Sequence, residues 1–383
     1  MTRWRAALAI LGCLAFATVS LGNALHKGGD FDVFVDAGQR VLDGRPLYTE
    51  TTPANGVIGP PFQGVFFAPS GWLARVSPAL AKVTWCLVNL AALAAGCWLW
   101  RLACADQILD SSVASTPIVL AIVAIVLPAQ TNFEHQNMNP LLLGLCGAGA
   151  YALTRSRPIQ GGVWFGVAAA LKVFPGFVLV YLLARREWRA AVAGVATAGV
   201  LTLLPAVRYG GAAFRLIGDW LAIHAAGDWP TRLQNQSIYA AVHRAWPDHA
   251  GAVVAGASAV LVLLMFVVAM LRSRQRVGAE ELAMALAAGV LLSPIAWDHY
   301  WVLMFPAVLT VAAARSRAAW VICAVAAALI SGPSPLLIGT HGFNVARAYS
   351  LYTLAGVLLF AALVTRGLLR PRAAVPRDRS PLR

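Results

Sequence analysis

The chain is expected to be an all-α polytopic membrane protein, and three observations point there. Its 383 residues are 59% hydrophobic and only 12% charged, with a mean hydropathy of +0.70, which leaves too little polar surface for a water-soluble domain. The apolar residues fall in runs close to the roughly 20 residues that a membrane-crossing helix needs. The basic residues form short Arg clusters between those runs rather than one continuous face, so the net charge of +14 reflects topology and not nucleic-acid binding.

Taken in order, the runs place helices near 6–25, 79–100, 113–129, 139–154, 190–206, 250–271, 282–293, 300–314, 318–332 and 349–366. The first follows a basic MTRWR start and resembles a leader, or through ILGC a lipoprotein site. Its apolar run nonetheless reaches Leu25, and it is read as an uncleaved anchor. The stretch 161–184 has Arg155 and Arg157 before it and Arg185, Arg186 and Arg189 after it. One straight helix would put one of those groups outside, whereas two short helices breaking at Lys172 to Pro175 keep both inside. Pro175 supplies the break, because it lacks an amide proton and disfavours helical geometry at the residue before it.

With that hairpin counted as two passes, about 10–12 transmembrane helices result, with both termini cytoplasmic. The segments then facing the cytoplasm hold 19 of the 30 Lys and Arg but only 6 of the 16 Asp and Glu, the bias of the positive-inside rule. Residues 1–366 form the membrane domain, with 26–78 as a large first non-cytoplasmic loop carrying interfacial helices. Residues 367–383 form a basic, Pro-containing cytoplasmic tail expected to be disordered and drawn to anionic lipid. The expected location is the plasma membrane. The six cysteines show neither CxxC nor Cys/His ligand spacing, so no disulfide framework or metal site is expected and they are read as packing residues.

The unusual polar residues segregate to one side of this topology. Asp30, Asp32, Asp36 and Asp43 open the first loop, Glu134 to Asn139 follow the third span, Lys172 marks the hairpin break, Asn235 to Ser237 lie in the loop after Val207, and Trp297 to His299 lie in the turn 293–300. The cytoplasmic turns are nearly all Arg, so the segregation is a signal. DFDVFVD alternates acids with Val and Phe. The stretch after it, to Tyr48, reads as an amphipathic interfacial helix with Phe34, Val41 and Leu42 on its apolar side. Pro60 and Pro61 are expected to stop regular structure, and Phe62, Phe66, Phe67 and Trp72 to face lipid.

Each candidate has a plain reading beside the functional one. The loop acids either solvate the loop or include a catalytic base. Lys172 either snorkels to the headgroups or binds a phosphate, its charge costing roughly 2.5–3.5 kcal/mol in an apolar stretch. Asn235, Gln236 and Ser237 are a glycosylation sequon by pattern, or sugar ligands through their amides and hydroxyl. His299 beside Asp298 fits a metal pair, a general base or a helix cap, and two adjacent ligands are a weak metal signal.

The series DFDVFVDAGQRVLDGRPLY, PPFQGVFFAP, HQNMNPLLL, GVAAALKVFPGFVLVYLLARREW, NQS and LLSPIAWDHYW resembles the polyprenol-phosphate-mannose-dependent mannosyltransferases of glycosyltransferase family 87. The resemblance implies the GT-C fold of integral membrane glycosyltransferases, a polyprenyl-phosphate sugar as donor, and a lipid-linked or cell-envelope glycan as acceptor. No cofactor, nucleotide or metal is implied. Carried over by motif, the catalytic aspartate falls on Asp30, with Asp32 and Asp36 as rivals. Lys172, Asn235, Gln236, Ser237, Trp297 and His299 fall on substrate-binding positions, and Gln136 and Asn139, among the segregated polar residues, are read as further substrate contacts. The sequence departs from the pattern at Tyr300, where some members have a second histidine, and at Gly59, where many have an aromatic residue.

The expected reaction transfers a hexose, mannose by the resemblance, to an acceptor hydroxyl with inversion, giving an α-linked product. Asp30 takes the acceptor proton, Lys172 holds the phosphate and His299 orients phosphate or acceptor. A transporter or flippase of lipid-linked sugars is the alternative from another class, and a polysaccharide ligase or aminoarabinose transferase the nearest enzyme rival. A transporter is expected to carry ionisable residues near mid-span and inverted broken helices, and the sequence shows neither pattern.

Overall fold

The computed structural model describes residues 3–27, 29–49, 59–105, 115–273 and 275–369. Regular structure among them is helical, apart from one isolated antiparallel bridge between Asn235 and Trp297. α1 (Arg3–His26) leads into α2 (Gly29–Asp43), followed by the short α3 (Pro61–Phe66) and α4 (Ala68–Val76). Then come α5 (Pro78–Ala103), α6 (Ser115–His135), α7 (Asn139–Thr154), α8 (Pro158–Leu171), α9 (Gly176–Ala184) and α10 (Trp188–Leu203). A connecting region holds α11 (Ala206–Tyr209), α12 (Ala213–Ala226) and α13 (Ile238–Ala245). The chain continues through α14 (Ala250–Arg272), α15 (Ala279–Leu292), α16 (Phe305–Ala312), α17 (Arg317–Ser331), α18 (Pro335–Ala348) and α19 (Leu351–Leu369).

Five helical runs are long and apolar enough to cross a membrane by length and composition: Pro78–Ala103, Thr116–His135, Trp188–Ala226, Pro247–Arg272 and Leu351–Leu369. α17 and α18, bent by 83°, make a sixth if the pair is one span, and Leu11–His26 and Pro158–Leu171 are shorter apolar helices. α15 shows why some helices are short and, beyond their first turn, apolar all round. Every residue from Ala279 to Leu291 is buried, so α15 is the axis on which α9, α16 and α19 pack.

The hairpin expected at 161–184 is present. α8 ends at Leu171, Lys172 is extended, and α9 begins at Gly176. The break sits on α15 because residue 289 is glycine: a Cβ there would lie 2.4 Å from the Phe174 carbonyl oxygen. At the far end of α9 the Arg cluster is only partly solvated. Arg185 is buried in an ion pair with Glu281, which also accepts from the Tyr181 hydroxyl, and Arg272 lies 3.7 Å from Glu280 and 3.5 Å from Glu281. These buried charges are paired across α9, α14 and α15, as burial requires.

Several expectations are corrected. DFDVFVD is itself part of α2, so the helix begins at Gly29 and ends at Asp43 instead of occupying the stretch after DFDVFVD. Phe34 and Val41 are buried as expected, but Leu42 is 39% exposed. Pro60 and Pro61 do not end regular structure, since Pro61 opens α3 at a position where a missing amide proton costs nothing. Phe62 and Phe67 do not face lipid. They are buried, Phe67 stacking 4.6 Å from Phe34 and edge-on 4.8 Å from Trp85, so the aromatic run glues α2 and α3 to α5. Trp72 alone of that group is largely exposed. The helix expected over 300–314 begins as a 3-10 helix, Asp298–Met304, before α16, and α18 lies where a loop was expected. Part of the first loop, 50–58, and the tail from 370 onward lie outside the described residues.

Candidate active site

Lys172 enters the bundle interior from the hairpin break. Its ammonium donates to Asn137 Oδ1 at 2.8 Å and to Asn139 Oδ1 at 3.0 Å, and lies 3.6 Å above the centre of the Tyr300 ring. All three partners are neutral. Burial pushes its pKa down to about 7, with the Asp30 charge acting in the opposite direction. An ammonium held only by amide oxygens and a π-face has no carboxylate bonded to it and is open to an anionic ligand.

Asp30 is brought to the same place by the start of α2. Gly29 has a left-handed φ of 55°, and a Cβ there would lie 2.7 Å from the His135 carbonyl oxygen, so only glycine lets α2 begin against the end of α6. Asn137 Nδ2 then donates to Asp30 Oδ2 at 2.6 Å. One amide thus touches both ions, its nitrogen on the carboxylate and its oxygen on the ammonium. The spacing prevents a direct ion pair that would neutralise both.

The third corner is His299, which is 4% exposed with neither ring nitrogen hydrogen-bonded. Its Nε2 lies 3.7 Å from Asp30 Oδ2 and its Nδ1 lies 3.7 Å from Asp298 Oδ1. Burial, then the neighbouring His135, Lys172 and Arg347, hold its pKa well below the ordinary value, so the ring is neutral. Asp298 is itself buried in an ion pair with Arg347 of α18. The corners open into one cavity of about 560 Å³, lined by Asp30, His135, Asn137, Lys172, His299 and Tyr300 among others. That volume lies within the roughly 300–1,000 Å³ usual for ligand pockets.

A buried ammonium, a carboxylate one amide away and a neutral imidazole beside that carboxylate suit displacement of an anionic leaving group by a hydroxyl. Among the described residues no group of three His, Cys, Asp or Glu side chains has the geometry to hold a metal ion.

The model of glycosyltransferase family 87 matches residues 58–296, more than half of the chain. The chain belongs to glycosyltransferase family 87. Among curated proteins, the polyprenol-phosphate-mannose-dependent alpha-(1-2)-phosphatidylinositol mannoside mannosyltransferase of Mycobacterium tuberculosis is 29% identical over 314 residues, covering 74% of this chain and 69% of that protein. The protein of the same description from Mycolicibacterium smegmatis is 28% identical over 337 residues, covering 78% and 73%. No solved structure matches the chain. The chain is therefore a membrane glycosyltransferase of GT-C type, and membership sets the transporter reading aside.

Of the residues singled out in the sequence, Asp30, Lys172, Trp297 and His299 line the transferase's cavity, and Asn139 stands directly behind Lys172. Asp32 and Asp36 do not line it. Asp32 faces Lys82 at 3.4 Å and Asp36 pairs with Arg40 at 2.7 Å. Gln136 has a left-handed φ of 50° and turns away, its Nε2 donating to the Ala24 carbonyl and its own carbonyl accepting from Trp85 Nε1. It ties α1 and α5 to the end of α6.

Asn235, Gln236 and Ser237 are fully buried, which closes the sequon to glycosylation. Asn235 donates to the Trp229 and Pro294 carbonyls and accepts from the Ala296 and Ser237 amides, Gln236 donates to the Leu233 and Arg347 carbonyls, and Ser237 caps α13. The triplet is a clamp that holds the 293–300 turn, and with it His299, against the 229–237 loop. Sequence reasoning named Asn137 and His135 among the segregated polar residues and Tyr300 as a departure from the family pattern, but gave none of the three a role in the site. The signal for Asn137 was its place between Asp30 and Lys172, visible only once both are packed.

Proposed function

We propose that this transferase moves a mannosyl group from a polyprenyl-phosphate donor to a hydroxyl of a glycolipid acceptor, of the phosphatidylinositol mannoside kind that its relatives' names state, with inversion at the anomeric carbon. The observation that carries the reading is the buried Lys172 ammonium, held by neutral partners one amide away from Asp30. The acceptor oxygen attacks the anomeric carbon as its proton passes to the Asp30 carboxylate. The bond from that carbon to the phosphate oxygen breaks, and its electron pair leaves with the phosphate, whose growing charge Lys172 offsets. Neutral His299, with two unused ring nitrogens in a buried position, hydrogen-bonds phosphate or acceptor. Val173, Phe174 and Phe177 flank Lys172 in the lining and offer apolar surface to the first isoprene units.

Membranes containing the protein, supplied with radiolabelled polyprenyl-phosphate mannose and a phosphatidylinositol mannoside, test the reading. Labelled glycolipid with an α-linked mannose is expected. Transfer from a nucleotide sugar but not from the lipid donor would overturn it.

The Lys172 pKa predicts a pH dependence with a definite sign. In the free enzyme the ammonium is present below about pH 7 and is lost above it. A bound phosphate favours the charged form, so donor binding takes up a proton at higher pH. The donor KM is therefore expected to be flat on the acid side and to rise with a limiting slope of about tenfold per pH unit on the alkaline side. Initial rates from pH 6 to 9 check it, and a donor KM that falls with rising pH would contradict it.

The cavity is proposed to open on the non-cytoplasmic side of the plasma membrane, with both termini in the cytoplasm. Support comes from the charge bias of the sequence, in which the turns read as cytoplasmic hold 19 of the 30 Lys and Arg. Single cysteines at exposed positions 45, 234 and 317 in a Cys-free background check the sidedness. An impermeant maleimide on intact cells is expected to label 45 and 234 at once, and 317 only after permeabilisation. The reverse pattern would invert the topology.

A further inference from the structure

The cavity has a second chemistry that the donor does not use. Trp220 and His224 lie one turn apart on α12, with ring centres 4.7 Å apart. The His224 ring lies 6.1 Å from Trp229, and Trp229 stands nearly perpendicular to Trp297 at 6.2 Å. All four rings line the cavity, with Arg232 and Gln234 beside them. Their row starts at Trp297, two residues before His299, and ends on α12.

The row is held in place by contacts outside the cavity. His224 Nδ1 is bonded to the Trp220 carbonyl at 2.9 Å, and Trp229 Nε1 donates to the His224 carbonyl at 3.0 Å. Along the same side of α12, Ala213, Leu216 and Ile223 pack with Ala37, Val41 and Leu47, and Trp220 packs against that cluster, which fixes α12 against the helix that carries Asp30. Trp220, His224 and Trp297 themselves are only half-buried. Rigid half-open aromatic faces with polar side chains at their edges match one ligand chemistry well. A pyranoside ring has a C–H face that stacks on indole and hydroxyls at its rim that take hydrogen bonds.

We propose that this aromatic row is the acceptor subsite, and that it binds the terminal pyranoside of the glycolipid acceptor. The inference rests on the proposed transfer reaction for its assignment to acceptor rather than donor. The donor sugar is covalently tied to the phosphate at Lys172, and so fills the space around Asn137 and His299. The incoming hydroxyl must come from beyond it, where the row lies. Trp220 and His224 supply the stacking faces, and Arg232 and Gln234, both exposed at the edge, supply donors to hydroxyl or headgroup oxygens.

Purified enzyme with radiolabelled polyprenyl-phosphate mannose and phosphatidylinositol mannoside tests this through a split in Michaelis constants. Trp220→Ala is expected to raise the acceptor KM about tenfold while the donor KM stays within about twofold, and His224→Ala to move the acceptor KM the same way. Trp220→Phe, which keeps a ring, is expected to recover most of the acceptor affinity. Trp246→Ala, at an exposed position outside the cavity, is the control. An unchanged acceptor KM in Trp220→Ala, a parallel rise in donor KM, or a Phe variant as impaired as the Ala variant would each overturn the proposal. Binding of tritiated phosphatidylinositol mannoside measured without any donor separates the two readings. If the donor assignment is wrong, the wild type still binds this ligand and Trp220→Ala does not. If wild type and Trp220→Ala bind it alike while transfer is intact, the subsite is wrong and the reaction stands.

Discussion

Asp30→Asn is expected to lower turnover by roughly 10²–10⁴-fold, the usual contribution of a general base, with the donor KM nearly unchanged. The substitution keeps shape and leaves an oxygen to accept from Asn137 Nδ2, which now lies 2.6 Å from the carboxylate. Only proton acceptance is lost. Asp32→Asn and Asp36→Asn are expected to retain most activity, because each removes only a solvent-accessible pair, with Lys82 or Arg40. Such pairs contribute about 0–1 kcal/mol. Steady-state kinetics on the three variants decide the assignment. A near-normal Asp30→Asn beside a dead Asp36→Asn would move the base to the other carboxylate.

Lys172→Met is expected both to raise the donor KM and to lower turnover by about 10²-fold or more, the scale seen when a donor to developing negative charge is removed. The phosphate is present in the ground state but carries more charge as the bond breaks, so both constants move. Stability changes less simply. The Asn139 side-chain oxygen loses its donor, at about 1–3 kcal/mol for an acceptor left unsatisfied, Asn137 Oδ1 keeps the Met138 amide, and the cost of burying a charge disappears. Thermal melting therefore accompanies the kinetics. Lys172→Arg is expected to recover only part of the activity, because a planar fork displaces the phosphate from a place now filled by a point charge over Tyr300. Unchanged donor kinetics in a folded Met variant would reduce Lys172 to a structural residue.

The sequence by itself determined the membrane class, most of the helices and the hairpin, because these follow from local quantities. Mean hydropathy and run length decide the solvent, and the Arg groups around 161–184 with Pro175 decide the break. It also singled out residues at the centre of the proposed site, since a lysine in an apolar hairpin is costly enough to need a reason. Three features were decided only by tertiary structure.

The choice among the acids depended on whether DFDVFVD ran with a period of two or of 3.6, and the two readings place the carboxylates differently. In α2, at about 100° per residue, Asp32 and Asp36 point roughly 200° and 240° away from Asp30, toward Lys82 and Arg40. The buried NQS triplet looked like a ligand set because polarity is visible in a sequence and burial is not. Its backbone partners include residues in 294–296 and 347, more than fifty residues away in the chain. Asn137 and the aromatic row from Trp220 to Trp297 acquire meaning only from neighbours on other helices. Each is an ordinary side chain in its own segment, and the chemistry lies in distances that packing alone sets.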